Sequence, residues 1–267
     1  MRGQHSAAFP AYRRGHSVDI ETIILDAVFE KQLFLLDDRF LAADSFDIGG
    51  GKLCLPGKID DPDTHVRKLT IAVVDIETQE AEYIETELTN SVLGFCMTRS
   101  GYAALVGELD DITSEAIYSL CLLSGDGHTE ASIMLPINLY EDERVYLRSE
   151  EDKIYLACRD KLVKINTKTK SSETICEFST LGELVCMTAD GQEPLILIAN
   201  KFGENLLFTF ADSTLERLSL QNEEYMKTAE NIFTSESQNT TLFMNRHGIY
   251  FAEAGMKQLV NFTNSGI

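Results

Sequence analysis

One pattern of apolar runs and polar turns recurs about five times between residues 40 and 262, with a step of roughly 42–48 residues. Each unit has two apolar runs joined by a short polar turn and a third run that ends on Asp, Asn or Ser. A last run of alternating residues follows. The ends of the third runs align at residues 73–78, 122–127, 164–169 and 210–214. Apolar runs this short are typical of strands, so the repeat predicts an all-β chain with its strands in groups of four.

A period in the forties with several strands per period is typical of a β-propeller, in which each repeat is one blade. We predict a disordered arm or a cloning remnant over residues 1–17 and one propeller domain over residues 18–267. Its five or six four-stranded blades include units at about 40–90, 91–138, 143–180, 183–221 and 230–267.

The two ends of the repeat leave two alternatives open. The fifth unit shows only three strand-like runs, and further strand-like runs within residues 20–36 precede the first unit. Either these N-terminal strands complete the C-terminal blade, which removes an open sheet edge, or the chain is an incomplete piece of a longer propeller.

The charge of the chain limits its partners. Because 43 Asp and Glu stand against 23 Lys and Arg, the net charge is -20, which disfavours nucleic-acid phosphates and anionic membranes. We therefore expect a protein, a small ligand or a carbohydrate as partner.

No stretch has the ~18 apolar residues of a membrane span or the h-region of a signal peptide. The localisation stays open, and an extracytoplasmic one requires a missing leader.

The six cysteines are predicted to be buried, reduced thiols. None forms a C-x-x-C pair, and each lies in an apolar run, as at residues 53–55, 95–97 and 185–187. Free cysteine behaves there as a small hydrophobic residue.

The Asp, Asn or Ser that ends each third run is predicted to be structural as well, since a short polar side chain can accept hydrogen bonds from backbone N–H groups two residues on.

One constellation suggests a binding site. In a propeller, the loops from second to third strands open on the same face as the loops between blades. Here these loops carry carboxylates that we group as the acidic rim, namely Asp60, Asp61, Asp63, Asp110, Asp111, Glu141 and Asp142. Clustered oxygens can bind a hard cation such as Ca²⁺ or a basic ligand. However, no loop shows a D-x-D-x-D-G calcium pattern, and a merely solvated rim is the alternative.

The repeat resembles the blades of bacterial β-propeller proteins. Residues 154–157 with 164–169 resemble blades of the YVTN-like and quinoprotein-like groups, and residues 248–250 with 258–266 are similar to blades in bacterial surface lipoproteins. The resemblance implies a bacterial binding, scaffold or sensor module, as part of a larger surface protein. Quinoprotein-type blades commonly carry Trp and this chain has none, so no quinone cofactor is expected.

The absence of catalytic motifs favours a protein that is not an enzyme. No G-x-S-x-G elbow, P-loop or H-E-x-x-H occurs in a suitable context. We therefore predict a non-enzymatic binding module with no catalytic or metal-ligating residue. The alternative is a hydrolase or lyase that acts on an extracellular polymer at the acidic face, where paired carboxylates supply acid–base chemistry if burial separates their pKa values.

Overall fold

Every regular element of the described residues is a β-strand. The structure, a computed structural model, describes residues 6–11, 17–24, 28–37, 39–43, 45–59, 67–109, 116–139, 143–189, 194–211, 214–219, 227, 229, 231–235, 240–245, 248–253 and 260–261. In these residues no helix is long and apolar enough to cross a membrane. The chain divides into two compact units, Met1–Asn138 and Leu139–Ile267.

The first unit contains three antiparallel sheets. Its strands are β1 (Ser6–Ala11), β2 (Ser17–Ile24), β3 (Val28–Leu35), β4 (Phe40–Ala42), β5 (Asp47–Gly49), β6 (Lys52–Ile59), β7 (Leu69–Asp75), β8 (Ala81–Glu85), β9 (Val92–Met97), β10 (Gly101–Leu109), β11 (Ala116–Ser124) and β12 (Thr129–Met134). β1–β3 form one sheet, β4–β8 a second and β9–β12 a third. The first strand of the second sheet is broken in two, because β4 and β5 pair with opposite ends of β6.

The second unit contains three four-stranded antiparallel sheets. Its strands are β13 (Val145–Glu150), β14 (Lys153–Cys158), β15 (Lys161–Asn166), β16 (Ser171–Glu177), β17 (Glu183–Ala189), β18 (Pro194–Ala199), β19 (Asn205–Ala211), β20 (Thr214–Leu218), β21 (Asn231–Ser235), β22 (Thr240–Asn245), β23 (Gly248–Glu253) and β24 (Val260–Asn261). Each sheet takes four consecutive strands, in the order of the chain.

Three pairs of successive sheets place their first strands side by side. In the second unit β13 lies beside β17, and β17 lies beside β21. In the first unit β5 lies beside β9. Four-stranded meanders that meet along their first strands are the arrangement of propeller blades. The chain is therefore all-β with a propeller-like fold.

The middle strands are buried on both faces, which explains their continuous apolar runs. Side chains alternate between the two faces of a strand. In β18, Ile196 and Ile198 pack in a cluster with residues of β14 and β15, whereas Leu195 and Leu197 belong to a separate cluster with Cys186. Residues of β6 and β7 divide between two clusters in the same way. The outermost strands are exposed and carry charges, such as Glu173 and Glu177 on β16, which protect a sheet edge.

The C-terminal sheet corrects one expectation from the sequence. It has four strands of its own, because β21 precedes the three runs that the sequence shows. The apolar part of β21 is only two residues long, too short to stand out as a strand. This sheet therefore needs no N-terminal strand to reach four, and β1, β2 and β3 pair with one another. β1 lies within the segment for which the sequence predicts a disordered arm or a cloning remnant.

Candidate functional site

The acidic rim cannot be described as a site. Its seven residues, Asp60, Asp61, Asp63, Asp110, Asp111, Glu141 and Asp142, lie outside the described residues. Their convergence on one rim therefore stays a prediction. In the part of the chain that the structure describes, no group of three or more His, Cys, Asp or Glu side chains is placed to hold a metal ion.

The polar residues that end the third strands organise their turns. Asp75 Oδ1 accepts hydrogen bonds from the N–H groups two and three positions on, at 2.9 and 2.8 Å. Asn166 Oδ1 does the same at 3.0 and 2.9 Å. Ser124 Oγ accepts one from the N–H of His128 at 3.1 Å. The pKa of Asp75 is lowered, mainly by the hydrogen bond from the backbone N–H of Thr78. The predicted bond to the N–H group two positions on is confirmed for Asp75 and Asn166, whereas Ser124 bonds the N–H group four positions on. Asp212 lies outside the described residues.

The cysteines are free thiols, and five of the six are buried as predicted. Burial raises the pKa of Cys54 and of Cys158 to about 12. Because the thiolate is the nucleophilic form, these groups are unsuited to covalent catalysis. Cys176 is only half-buried, since it lies on the outer strand β16.

A Ser, an Asp and a His meet at the turn between β11 and β12, but not in a catalytic order. Ser124 Oγ donates to Asp126 Oδ1, and His128 Nε2 lies 3.8 Å from Asp126 Oδ2. His128 Nδ1 lies 3.7 Å from Glu87 Oε1. A catalytic triad requires the hydroxyl to bond the imidazole, and here the hydroxyl bonds the carboxylate instead. The three residues form an exposed turn in which the imidazole lies beside two carboxylates.

A different candidate lies at the hairpin between β18 and β19, which we name the Phe202 tip (residues 200–204). The side chain of Phe202 is 77% exposed, which is the largest exposure among the large hydrophobic residues described. Scattered exposed apolar residues are common, but a phenyl ring with this little contact gains almost nothing from burial in the fold. The stability of the core therefore does not explain its position, which leaves this residue open to a role in binding.

The backbone of the Phe202 tip is fixed by one side chain. Asn200 Oδ1 accepts hydrogen bonds from the N–H groups of Phe202 at 2.9 Å and Glu204 at 3.0 Å. The N–H of Gly203 donates to the carbonyl of Asn200 at 2.8 Å, and the φ of Gly203 is 76°, a value that favours glycine. The aromatic ring thus projects from a turn of defined conformation.

The charges at the Phe202 tip are arranged unevenly. Lys201 Nζ lies 5.1 Å from the centroid of the Phe202 ring, a cation–π distance. Glu204 Oε1 lies 2.8 Å from Lys227 Nζ, and that hydrogen bond is the main reason why the pKa of Glu204 is lowered. Within the described residues, no carboxylate lies at ion-pair distance from Lys201. Among the described residues, the tip therefore presents an apolar ring beside a cation with which no carboxylate pairs.

The sequence analysis missed Phe202, although a signal was present. Residues 200–203 read Asn-Lys-Phe-Gly between two apolar strands. Asn and Gly are turn formers, so the apolar residue between them stands at a position that cannot enter the core. Phe in a turn was the observation that could have pointed to this surface.

Comparisons with known proteins show the fold only. No family model matches the chain, and no curated protein matches it. Among solved structures, an acylaminoacyl peptidase from Pyrococcus horikoshii superposes with a TM-score of 0.54 at 14% identity, over 96% of this chain and 43% of the peptidase. The extracellular domain of the one component system BT4673 from B. thetaiotaomicron gives a TM-score of 0.47 at 12% identity, over 89% of this chain and 30% of that one. The chain thus spans less than half the length of either protein, and the first likeness agrees with an all-β, propeller-like fold.

Proposed function

We propose that the chain is a non-enzymatic binding module, built as a β-propeller of five or six blades, and that the Phe202 tip is part of its contact surface. The observation that carries the proposal is the 77% exposed ring of Phe202 on a turn that Asn200 fixes. Aromatic residues, Phe among them, are enriched in the buried core of protein interfaces relative to the rest of the surface. A surface that is already ordered loses less entropy on binding than a flexible loop.

A peptide-display selection tests this proposal. Phage that carry random peptides are selected on the wild-type protein, and the recovered clones are then scored on Phe202→Ser and on Met134→Ser. Met134 is a matched control, because it is 69% exposed and lies in the other compact unit. Clones that bind wild type and Met134→Ser but not Phe202→Ser support the proposal. If every selected clone binds Phe202→Ser equally well, the tip is not a contact surface.

An enzymatic function is the second candidate, and the peptidase neighbour supports it. The chain covers 43% of that peptidase, so it could form the propeller part of a longer hydrolase that acts at the acidic rim. The chain is incubated with N-acylated peptides and with polysaccharides, and products are measured by mass spectrometry. Turnover that Asp61→Asn or Asp110→Asn abolishes favours the enzyme. Turnover that survives both substitutions comes from elsewhere or from a contaminant.

The acidic rim also remains a proposed site for a cation or a basic ligand. Calorimetric titration with Ca²⁺ tests it directly, with the double substitution Asp61→Asn and Asp63→Asn as the variant. A saturable heat that the variant loses supports a calcium site, because Ca²⁺ needs several carboxylate oxygens. Equal heats in both proteins show a solvated rim.

Whether the module belongs to a larger bacterial surface protein is tested by sequencing the gene beyond codon 267.

A further inference from the structure

We infer that the Phe202 tip binds a peptide segment in which an apolar side chain stands next to a carboxylate. This inference rests on the proposed function, in which the tip is a contact surface, and it specifies the chemistry of the partner. The partner contributes an aliphatic or aromatic group to cover the ring and an acid to pair with Lys201.

The ring sets the first requirement. Because Phe202 is 77% exposed, most of its apolar surface is available to a partner, and covering it removes that surface from water. A carboxylate or an uncharged polar group placed against the ring would gain less, because it would give up hydration without removing as much apolar surface from water. Leu or Phe in the partner therefore gives the most favourable contact.

The local charge sets the second requirement. Although the whole chain carries a net charge of -20, the tip has a cation in Lys201, and its acid, Glu204, is already paired with Lys227. A basic segment would meet Lys201 as a like charge. An acidic group would instead find the one charge at this tip that has no carboxylate partner among the described residues. Charge complementarity at short range thus favours an acid despite the acidity of the chain.

The distance between the two groups sets the spacing in the partner. Lys201 Nζ lies 5.1 Å from the ring centroid. Consecutive Cα atoms are ~3.8 Å apart, and residues that share a face of an extended strand are ~7 Å apart. An acid that is adjacent to the apolar residue, or two positions from it, can therefore contact Lys201 while the apolar side chain covers the ring.

Fluorescein-labelled nonapeptides of four designs test the inference by anisotropy. Their central residue is Leu or Ser, and its neighbours on both sides are Glu or Lys. We expect the Leu–Glu peptide to bind most tightly, and binding to weaken between about 20 and about 300 mM salt. Phe202→Ser should weaken it by about tenfold or more, the amount expected when a phenyl group loses its burial. Lys201→Glu should reverse the preference from the Glu to the Lys peptide, and Met134→Ser should change nothing.

The outcomes separate this inference from the proposed function. If the Leu–Lys peptide binds best and Phe202→Ser abolishes it, the contact surface stands and the acidic partner is wrong. If light scattering shows that the chain associates with itself through Phe202, the partner is a second copy and the inference is wrong. If no peptide depends on Phe202, both the surface and its chemistry are overturned. Equal unfolding midpoints of all variants in urea exclude misfolding as the cause.

Discussion

Single acceptor atoms determine how the third strands of the sheets end. Asp75 Oδ1 and Asn166 Oδ1 each accept two backbone N–H groups, in two different sheets and with nearly the same distances. Asp and Asn can both do this because the bond requires only an acceptor oxygen on Cγ. The repeat is therefore one of hydrogen-bond geometry rather than of residue identity, which is why it is faint in the sequence.

Asn166 offers a direct test of this role. We expect Asn166→Ala to lower the free energy of unfolding by about 1–2 kcal/mol, because two hydrogen bonds are lost at about 0.5–1.5 kcal/mol each. Asn166→Asp keeps the acceptor and should stay close to wild type. The measurement is the urea midpoint at constant m-value. If Asn166→Asp falls as far as Asn166→Ala, the acceptor is not what stabilises the turn.

Exposure and pKa together predict the order in which the cysteines react. With a pKa of about 12, only about one in 10⁴ Cys54 side chains is a thiolate at pH 8, and Cys158 is equivalent. Burial raises the pKa of Cys176 too, but this thiol is the most exposed of the six. We expect iodoacetamide to label Cys176 first in the native protein, as located by peptide mass spectrometry. Cys54 and Cys158 should react only after unfolding, and early labelling of either would contradict the packing at its sheet interface.

At the scale of elements, one turn joins two neighbouring sheets of the first unit. Gly127, between β11 and β12, has a φ of 89°, and a Cβ added there would lie 2.6 Å from the carbonyl oxygen of Glu85 at the end of β8. Gly125 stands two residues earlier in the same turn, and its nearest atom would be 3.8 Å from an added Cβ. The contact between the two sheets thus requires glycine at position 127 but not at position 125.

The two glycines form a matched pair for mutagenesis. We expect Gly127→Ala to destabilise the protein by about 2–3 kcal/mol, since it combines a left-handed conformation with a backbone clash. Gly125→Ala should stay within about 1 kcal/mol of wild type, because its conformation suits alanine. Thermal unfolding of both variants checks this. A similar loss in the two proteins would mean that the turn tolerates no side chain for a reason other than contact with β8.

The sequence predicts the middle strands well and the surfaces poorly, for physical reasons. β18 and β7 are buried on both faces, and their short apolar runs, rich in β-branched residues, favour a strand over a helix. β21 has a two-residue apolar part, and only its pairing with β22 makes it a strand. The Phe202 tip escaped prediction because hydropathy favours a core position for Phe, whereas the turn places it outside. Pairing between distant strands and the geometry of turns therefore determine features that the local pattern of apolar and polar residues does not show.

At the scale of the whole molecule, the dominant feature is the excess of acid. The sequence carries 43 acidic and 23 basic residues, and ion pairs such as Lys164–Glu173, with 3.3 Å between Nζ and Oε1, lie on exposed surfaces. Exposed pairs contribute little to stability, so repulsion among the excess carboxylates outweighs them. A net charge this far from zero favours solubility and at the same time opposes folding.

Salt should therefore stabilise this protein at neutral pH. Raising the salt concentration from about 10 to about 100 mM shortens the screening length from about 30 to about 10 Å, which weakens repulsion between distant carboxylates. We expect the Tm measured by calorimetry at pH 7 to rise, by about 2–4 °C for each kcal/mol of repulsion removed. The control is the same series nearer the isoelectric point of about 4.6, where protonated carboxylates leave little repulsion to screen and the rise should shrink. A Tm that falls with salt at pH 7 would show instead that local ion pairs stabilise the fold more than the net charge opposes it.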